Sequence, residues 1–377
     1  MLSRAPDLDD KELRVLEEVD QLRGDLRYLT GQPRRWTGLL RRNAQARAVQ
    51  GSNSIEGYNV TLEDAIAAVE GEEPSIDPKD ENWLAVAGYQ LALTFVFQQA
   101  EDPQFRYSGE ILKSLHFMMM AWDLSKNPGR WRPGSIFVRN DATGAIVYEG
   151  PPASQVPLLI AELVSELEAP AGPGNPPTLV QAAMAHLNLV MIHPFSDGNG
   201  RMARGLQTLV LARGGVVAPQ FSSIEEYLGR NTEAYYAVLA EVGAGSWHPE
   251  RDARPWIRFS LRAHHHQALT LLRRSREMNR LWDAVEELVL GMKLPDRMVA
   301  PLVDSAHGRS LKNTTYRTAA GVSEVVAGRD LKVLVDHGLL EKQGENRGRT
   351  YAATQTVIDL RRKTVEPREP LPDPFAV

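Results

Sequence analysis

The stretch His193-Pro194-Phe195-Ser196-Asp197-Gly198-Asn199-Gly200-Arg201-Met202-Ala203-Arg204 restricts this chain more than any other. The residues before it, 178–192, are almost wholly apolar. Leu179, Ala182, Ala183, Ala185, Leu187, Leu189, Val190 and Ile192 leave little polar surface, as a buried helix requires. Pro194 ends that helix, because the residue before a proline is pushed out of the α region. After Gly200, apolar residues recur at helical spacing at Met202, Leu206, Leu209 and Val210. The fold must therefore hold a polar, glycine-punctuated turn between two apolar helices.

Such a turn suits an anion. Gly198 and Gly200 allow the backbone to approach a ligand closely. The amides opening the second helix are unpaired donors at the positive end of the helix dipole. Arg201 and Arg204 lie on nearly one helix face and reach the same anion. Asp197 offers a hard oxygen of the kind a magnesium ion on phosphates takes. His193 works as a base near neutral pH. A single histidine after a helix, or a single Asp-Gly-Asn-Gly turn, is ordinarily structural. The joint occurrence of base, carboxylate, glycines and arginines is what points to phosphate chemistry.

The stretch resembles the Fic-family motif His-Pro-Phe-x-Asp-Gly-Asn-Gly-Arg-x-x-Arg at every specified position, with Ser196, Met202 and Ala203 in the free slots. The usual reaction of that family moves AMP from ATP onto a protein hydroxyl. The resemblance implies His193 as general base on a Ser, Thr or Tyr hydroxyl of a target protein, the chain itself included. It implies Asp197 as the Mg2+ ligand, and Gly198, Asn199 and Gly200 as the anion hole. Arg201 and Arg204 would hold the phosphates of ATP, and Phe195 would anchor the loop. Tyr235-Tyr236 resembles the family's pair near the adenine, which points to Tyr236 as a nucleotide contact; core packing explains the pair nearly as well.

Upstream, Ser52-Asn53-Ser54-Ile55-Glu56-Gly57 would alone be read as a helix end with a solvated carboxylate. Beside the core motif it resembles the family's N-terminal inhibitory pattern Ser/Thr-x-x-x-Glu-Gly/Asn. That resemblance implies that Glu56, in a motif opened by Ser52, pairs with Arg204. An arginine held in a bidentate pair with a carboxylate is not free to hold the γ-phosphate. In some relatives the same glutamate assists removal of AMP, and both directions stay open here.

Gly129-Arg130-Trp131-Arg132-Pro133 leads into the alternating Ile136-Phe137-Val138-Arg139; Asn140 to Gly144 turns, and Ala145 to Tyr148 returns. This predicts a β-hairpin. In the Fic family a hairpin here is the flap, and Ile136, Phe137 and Val138 would hold a target segment by adding it as a strand. Helices are expected over 8–29, 36–50, 82–99 and 256–272, with Thr61 and Ser108 as N-caps. His116 is read as a packing residue. His264-His265-His266 is read as surface, because consecutive helical residues diverge.

From Thr315 the pattern becomes helix (Tyr316 onward), tight turn, helix (Glu324 to His337) and hairpin. This is similar to a winged helix-turn-helix, as such proteins of this subgroup often carry. Eight Lys and Arg against five Asp and Glu over 309–351 allow phosphate contacts through Arg329, Lys332, Lys342, Arg347 and Arg349. Glu324 and Asp330 on the same helix oppose them. The alternative reading is thus a DNA-binding transcriptional regulator with a Fic-like sensor domain. A winged module for protein contact is at least as well supported.

The expected fold is mainly α. An N-terminal helical region (1–105, inhibitory motif at 52–57) precedes a Fic catalytic domain (106–263) with its flap. Linking helices (264–295), a winged helix-turn-helix domain (296–363) and a proline-rich disordered tail (364–377) follow. The net charge of -5 argues against coating nucleic acid through a bulk field. The absence of cysteine excludes a disulfide scaffold and a thiol nucleophile. No apolar run of about 18 residues is present to span a membrane, and residues 1–18 lack a signal-type apolar run. The expectation is a cytoplasmic adenylyltransferase that uses ATP and Mg2+ and has no membrane partner; a homodimer is left open.

Overall fold

A computed structural model describes residues 1–377 apart from 32–33, 140–142, 170–175, 216–218, 345–348 and 377. Most of the expected flap turn and Arg347 therefore lie outside the described residues. The chain forms two compact units, residues 1–27, 44–269 and 371–377 in the first and 28–43 and 270–370 in the second.

In chain order the elements are Asp10–Gly31 (α1), Thr37–Ile55 (α2), Leu62–Glu70 (α3), Glu81–Glu101 (α4) and Gly109–Met120 (α5). The strands Phe137–Arg139 (β1) and Ile146–Glu149 (β2) come next. Val156–Glu168 (α6), Thr178–Ile192 (α7), Asn199–Arg213 (α8), Pro219–Ser222 (α9), Glu225–Arg230 (α10) and Thr232–Gly243 (α11) follow. Arg254–Gly291 (α12) is one unbroken helix through the segment expected to link domains. The remainder is Val299–Ala306 (α13), Asn313–Ala320 (α14), Glu324–Asp336 (α15), Leu340–Gln343 (β3), Thr350–Ala353 (β4) and Gln355–Thr364 (α16). The chain is mainly α, with two separate two-stranded antiparallel sheets among the described residues.

In the first unit, α7 and α8 are buried on nearly every face and pack side by side at the centre. A helix without a polar stripe has no stable place at a surface. Helices α4, α5 and α6 pack around this pair. Thr61 and Ser108 cap α3 and α5 as their sequences require, accepting from Asp64 N–H and Ile111 N–H at 3.1 Å. The end of α2, which carries Ser52 to Ile55, crosses α10 at a glycine contact. A Cβ at Gly229 would lie 2.7 Å from Gly51 Cα, and one at Gly51 would lie 2.6 Å from Glu225 O. Only a hydrogen at both positions permits so close a crossing.

The hairpin forms with Phe137 opposite Glu149 and Val138 opposite Tyr148, and slips by one residue between Val138 and Arg139. The Tyr148 hydroxyl donates to Met191 O at 2.8 Å, and Glu149 N–H donates to Gly245 O at 2.9 Å. These bonds tie β2 to the body and leave β1 at the edge.

Two expectations need correction in this unit. His264 and His265 are buried, not surface residues. Their face of α12 meets α1, where Arg23 Nη2 lies 3.3 Å from His264 Nδ1 and Glu18 lies 3.6 Å from His265 Nε2. The tail, expected to be disordered throughout, has an ordered end: Arg262 donates twice to Asp373 at 2.9 and 3.0 Å, and Phe375 lies between Arg258 and Arg262.

In the second unit α13, α14 and α15 pack with the β3–β4 hairpin and α16. Leu311 exchanges two backbone bonds of 2.8 Å with Tyr351. Two buried carboxylates are neutralised inside it. Arg42 and Arg309 flank Asp304. Arg297 grips Asp330 with two bonds of 2.7 and 2.9 Å, joined by the Tyr316 hydroxyl at 3.1 Å. Asp330 therefore faces inward and does not oppose a ligand at the surface of α15, as its sequence position suggested. Among the described residues, no helix is long and apolar enough to cross a membrane.

Gly229→Ala should lower the stability of the first unit by about 1–3 kcal/mol, because the crossing has no room for a methyl group. Urea denaturation checks this; an unchanged midpoint would show that the crossing has slack.

Candidate active site

The turn begins where α7 ends. His193 takes a left-handed conformation (φ 51), and its N–H donates to Leu189 O at 3.0 Å. A side chain other than glycine persists there only when its surroundings hold it. Arg132 does most of this holding. Its backbone N–H donates to Pro194 O at 2.9 Å, its Nε to His193 O at 2.8 Å and its Nη1 to Gly134 O at 2.6 Å, while Nη2 reaches Pro151 O. Phe195 is fully buried, stacked on His116 at 3.7 Å and against Trp131 at 4.9 Å. Asn199 closes the loop: its Oδ1 accepts from Phe195 N–H and its Nδ2 donates to Phe195 O, both at 2.9 Å. The Asn199 side chain thus shapes the turn and leaves only its backbone amide for an anion.

His193 Nδ1 lies 3.1 Å from Val190 O. A carbonyl only accepts, so Nδ1 carries the proton and Nε2 is the basic nitrogen. Burial pushes this imidazole below the ordinary histidine range, which keeps it a neutral base at neutral pH.

Arg201 and Arg204 are each 1% exposed. Arg204 donates from Nε to Ser52 Oγ at 2.7 Å, and from Nη2 to Ser52 O at 2.9 Å and Glu56 Oε1 at 2.7 Å. The expected bidentate Glu56 pair is therefore a single contact, with Ser52 supplying the rest from its hydroxyl and carbonyl. Burial works against the Arg204 charge, but Glu56 more than offsets it and keeps the guanidinium firmly protonated. The Glu56 carboxylate lies directly over Gly200, where a Cβ would collide with Oε1. Arg201 donates from Nη2 to Met120 Sδ at 2.9 Å, and its guanidinium lies 5.0 Å from the Tyr58 ring.

Nε and Nη1 of Arg201 and Nη1 of Arg204 find no hydrogen-bond partner among the described residues. The first bond of α8 runs from Met202 N–H to Gly198 O, so the amides of Asn199, Gly200 and Arg201 have no helical partner either. Buried charged donors without acceptors are rare, and here they cluster at one helix start. The arrangement fits a phosphate chain. Asp197 Oδ1 accepts from Gly198 N–H at 2.6 Å, and Oδ2 lies 3.2 Å from Lys126 Nζ. No group of three or more His, Cys, Asp or Glu that could hold a metal occurs among the described residues. One hard carboxylate beside a phosphate cradle fits Mg2+, which is usually held by one or two carboxylates together with phosphate oxygens and water.

Behind Arg204 runs a buried polar chain. Arg23, His264, Gln207, His186 and Tyr235 follow one another at 3.3, 3.5, 2.6 and 2.9 Å. Arg204 and Glu56 bear on the Tyr235 hydroxyl, though burial is what mainly raises it, to about 12. Glu225 is a second buried carboxylate in the field of Arg204, held by the Tyr89 hydroxyl at 2.8 Å and Thr208 at 3.1 Å. Tyr236 is half-exposed, and its hydroxyl donates to Ile55 O at 3.2 Å, one residue before Glu56. Glu225 and Lys126 carried no sequence signal beyond their residue type.

The pattern of the Fic/DOC family matches residues 107–211, which span α5, the hairpin, α6, α7 and most of α8. Residues 107–211 are thus a Fic/DOC family domain. The chain is similar to a protein adenylyltransferase Fic of Drosophila yakuba (28% identical over 265 residues, 67% of this chain and 46% of the relative). It is also similar to a protein adenylyltransferase Fic of Nematostella vectensis (27% over 213 residues, 56% and 45%). The chain thus spans about half the length of these curated relatives. Among solved structures, a Fic family protein from Desulfovibrio desulfuricans G20 superposes with a TM-score of 0.59 at 24% identity, covering 93% of this chain and 98% of that one. Fic-1 of C. elegans (residues 134–508) superposes with a TM-score of 0.55 at 22% identity, covering 69% and 72%. The chain shares their fold.

Burial holds the fully enclosed His186 at about 3 in the folded chain, against about 6.5 when unfolded. The unfolded state therefore binds the extra proton between these values. The stability from this group is complete above about pH 6.5 and drains as pH falls toward 3. Urea denaturation between pH 7 and 5 should show falling stability. His186→Gln should flatten that slope by up to about 1.4 kcal/mol per pH unit; an unchanged slope would mean that the imidazole takes up its proton alike in the folded and unfolded chains.

Proposed function

We propose that this chain transfers AMP from ATP to the hydroxyl of a protein side chain, and that Glu56 restrains the transfer by occupying Arg204. One observation carries the reading. Two buried arginines at the start of α8 have N–H groups without acceptors among the described residues, and a carboxylate of the chain itself lies on one of them. The relatives named protein adenylyltransferase support the nucleotide and the class of target.

In this reading the unpaired N–H groups of Arg201 and Arg204 take the phosphate oxygens, Arg204 the γ-phosphate. The amides of Asn199 and Gly200 line the α8 start as the anion hole, while that of Gly198, expected to join them, is held by Asp197 Oδ1 at 2.6 Å. Mg2+ at Asp197 would supply charge neutralisation on the phosphates. His193 Nε2 takes the proton of the target hydroxyl as its oxygen bonds to the α-phosphorus; the bond to pyrophosphate breaks, and its charge rests on the arginines. The half-exposed Tyr236 ring offers a face for the adenine. The β1 edge, with Ile136, Phe137 and Val138, takes the target segment as an added strand and aligns its hydroxyl. With Glu56 on Arg204 the γ-phosphate has no seat, and ATP binds in a pose unsuited to attack.

We read residues 296–363 as a winged helix-turn-helix module used for protein contact. DNA binding is less supported, since Lys332 on α15 pairs with Asp336 at 3.0 Å.

Labelled ATP with purified protein tests the enzyme. Glu56→Gly should raise AMP incorporation about tenfold or more, since a charge-assisted bond of this kind contributes roughly 1.5–3 kcal/mol. His193→Ala should abolish it. No gain in the first variant removes the restraint, and incorporation by the second removes the base. In the Glu56→Gly protein the rate should fall with pH with a midpoint below the ordinary histidine value of about 6.5, following the lowered His193. A midpoint at or above that value would contradict that assignment.

A further inference from the structure

Lys126 lies outside the motif, yet its ammonium lies 3.2 Å from Asp197 Oδ2. The loop that carries it is fixed in place. Asp123 accepts from Ser125 N–H at 3.0 Å and from Ser125 Oγ at 2.6 Å, shaping the short turn Leu124–Lys126. Asn127 ends that turn in a left-handed conformation (φ 52), its N–H donating to Leu124 O at 3.2 Å. One imidazole then clamps both sides of the ion pair. His116 Nδ1 accepts from Gly129 N–H at 2.8 Å, so Nε2 carries the proton and donates to Asp197 O at 3.0 Å. His116 is fully buried and stacked on Phe195, so the backbones that carry the two partners are held together. Asp197 Oδ1 is already taken by Gly198 N–H. The oxygen left over is Oδ2, and Lys126 is on it.

We infer that Lys126 holds the divalent ion's place on Asp197 in the nucleotide-free protein, so that the ion enters with the phosphates and not on the carboxylate alone. This rests on the metal role proposed for Asp197. A single carboxylate is a weak divalent site, and no cluster of three or more metal-ligating side chains reinforces it among the described residues. The ammonium cancels its charge, and a dication must displace it or sit beside it. A triphosphate changes that balance, because it brings anionic oxygens for the ion and for the lysine together. Lys126 is 44% exposed on a flexible stem, so it moves from carboxylate to phosphate without losing a partner. Its role is positioning; it exchanges no proton with the reactants.

Mn2+ binding to the full chain, read from the electron paramagnetic resonance signal of free Mn2+, tests this without relying on activity. Without nucleotide, Lys126→Met should bind Mn2+ about fivefold more tightly than wild type, the most that an exposed ion pair ordinarily contributes. Lys126→Arg, which keeps the charge, should match wild type, and adding Asp197→Asn to Lys126→Met should erase the gain. With a non-hydrolysable ATP analogue, wild type should hold Mn2+ at least as tightly as Lys126→Met. Equal Mn2+ affinity of wild type and Lys126→Met without nucleotide overturns the inference, as does a gain in Lys126→Arg as large as in Lys126→Met. Mn2+ binding with the analogue that ignores Asp197→Asn overturns the metal assignment itself.

Discussion

A guanidinium with 1% of its surface exposed needs a counter-charge and acceptors, and Arg204 draws the surrounding structure into supplying them. Ser52 gives a hydroxyl and a carbonyl, and Glu56 gives the charge. For α2 to deliver both, its end must come close, which Gly51 and Gly229 permit at the crossing with α10. For the carboxylate to reach the start of α8, position 200 must lack a side chain. Breaking a buried ion pair leaves an uncompensated charge. On the proposed reading, release of Glu56 is therefore coupled to arrival of another anion, and the phosphate of ATP is the anion of the right chemistry.

The same economy of placement governs the base. A histidine in the left-handed region is held by backbone acceptors around Arg132, not by its own preference. The Phe195–Asn199 bonds and the His116 stack fix the turn that follows. Catalysis of the proposed kind depends on position and on fixed donors more than on bond chemistry by the protein, so a rigid turn is what it needs. The polar chain from Arg23 to Tyr235 extends that rigidity behind Arg204 into α1.

What depended on local chemistry was legible in the sequence. The apolar helices on either side of the turn, the caps at Thr61 and Ser108 and the hairpin from 136 to 148 follow from spacing and residue type. What depended on distant partners was not. His264 reads as surface until α1 covers it, Asp330 reads as exposed until Arg297 meets it, and the tail reads as free until Arg262 binds Asp373. Asn199 and Glu56 were placed at the site, but their geometry was not foreseen. The Asn199 side chain turns to the loop backbone, and Glu56 reaches Arg204 through one oxygen while Ser52 takes Nε and shares Nη2.

The central claim is that Glu56 and the γ-phosphate compete for Arg204. Crystal structures of the wild-type chain and of Glu56→Gly, each with a non-hydrolysable ATP analogue and Mg2+, test it most directly. The account predicts a γ-phosphate within hydrogen-bond distance of Arg204 in the variant, and displaced from it in the wild type with Glu56 still on the guanidinium. The same phosphate position in both would contradict it.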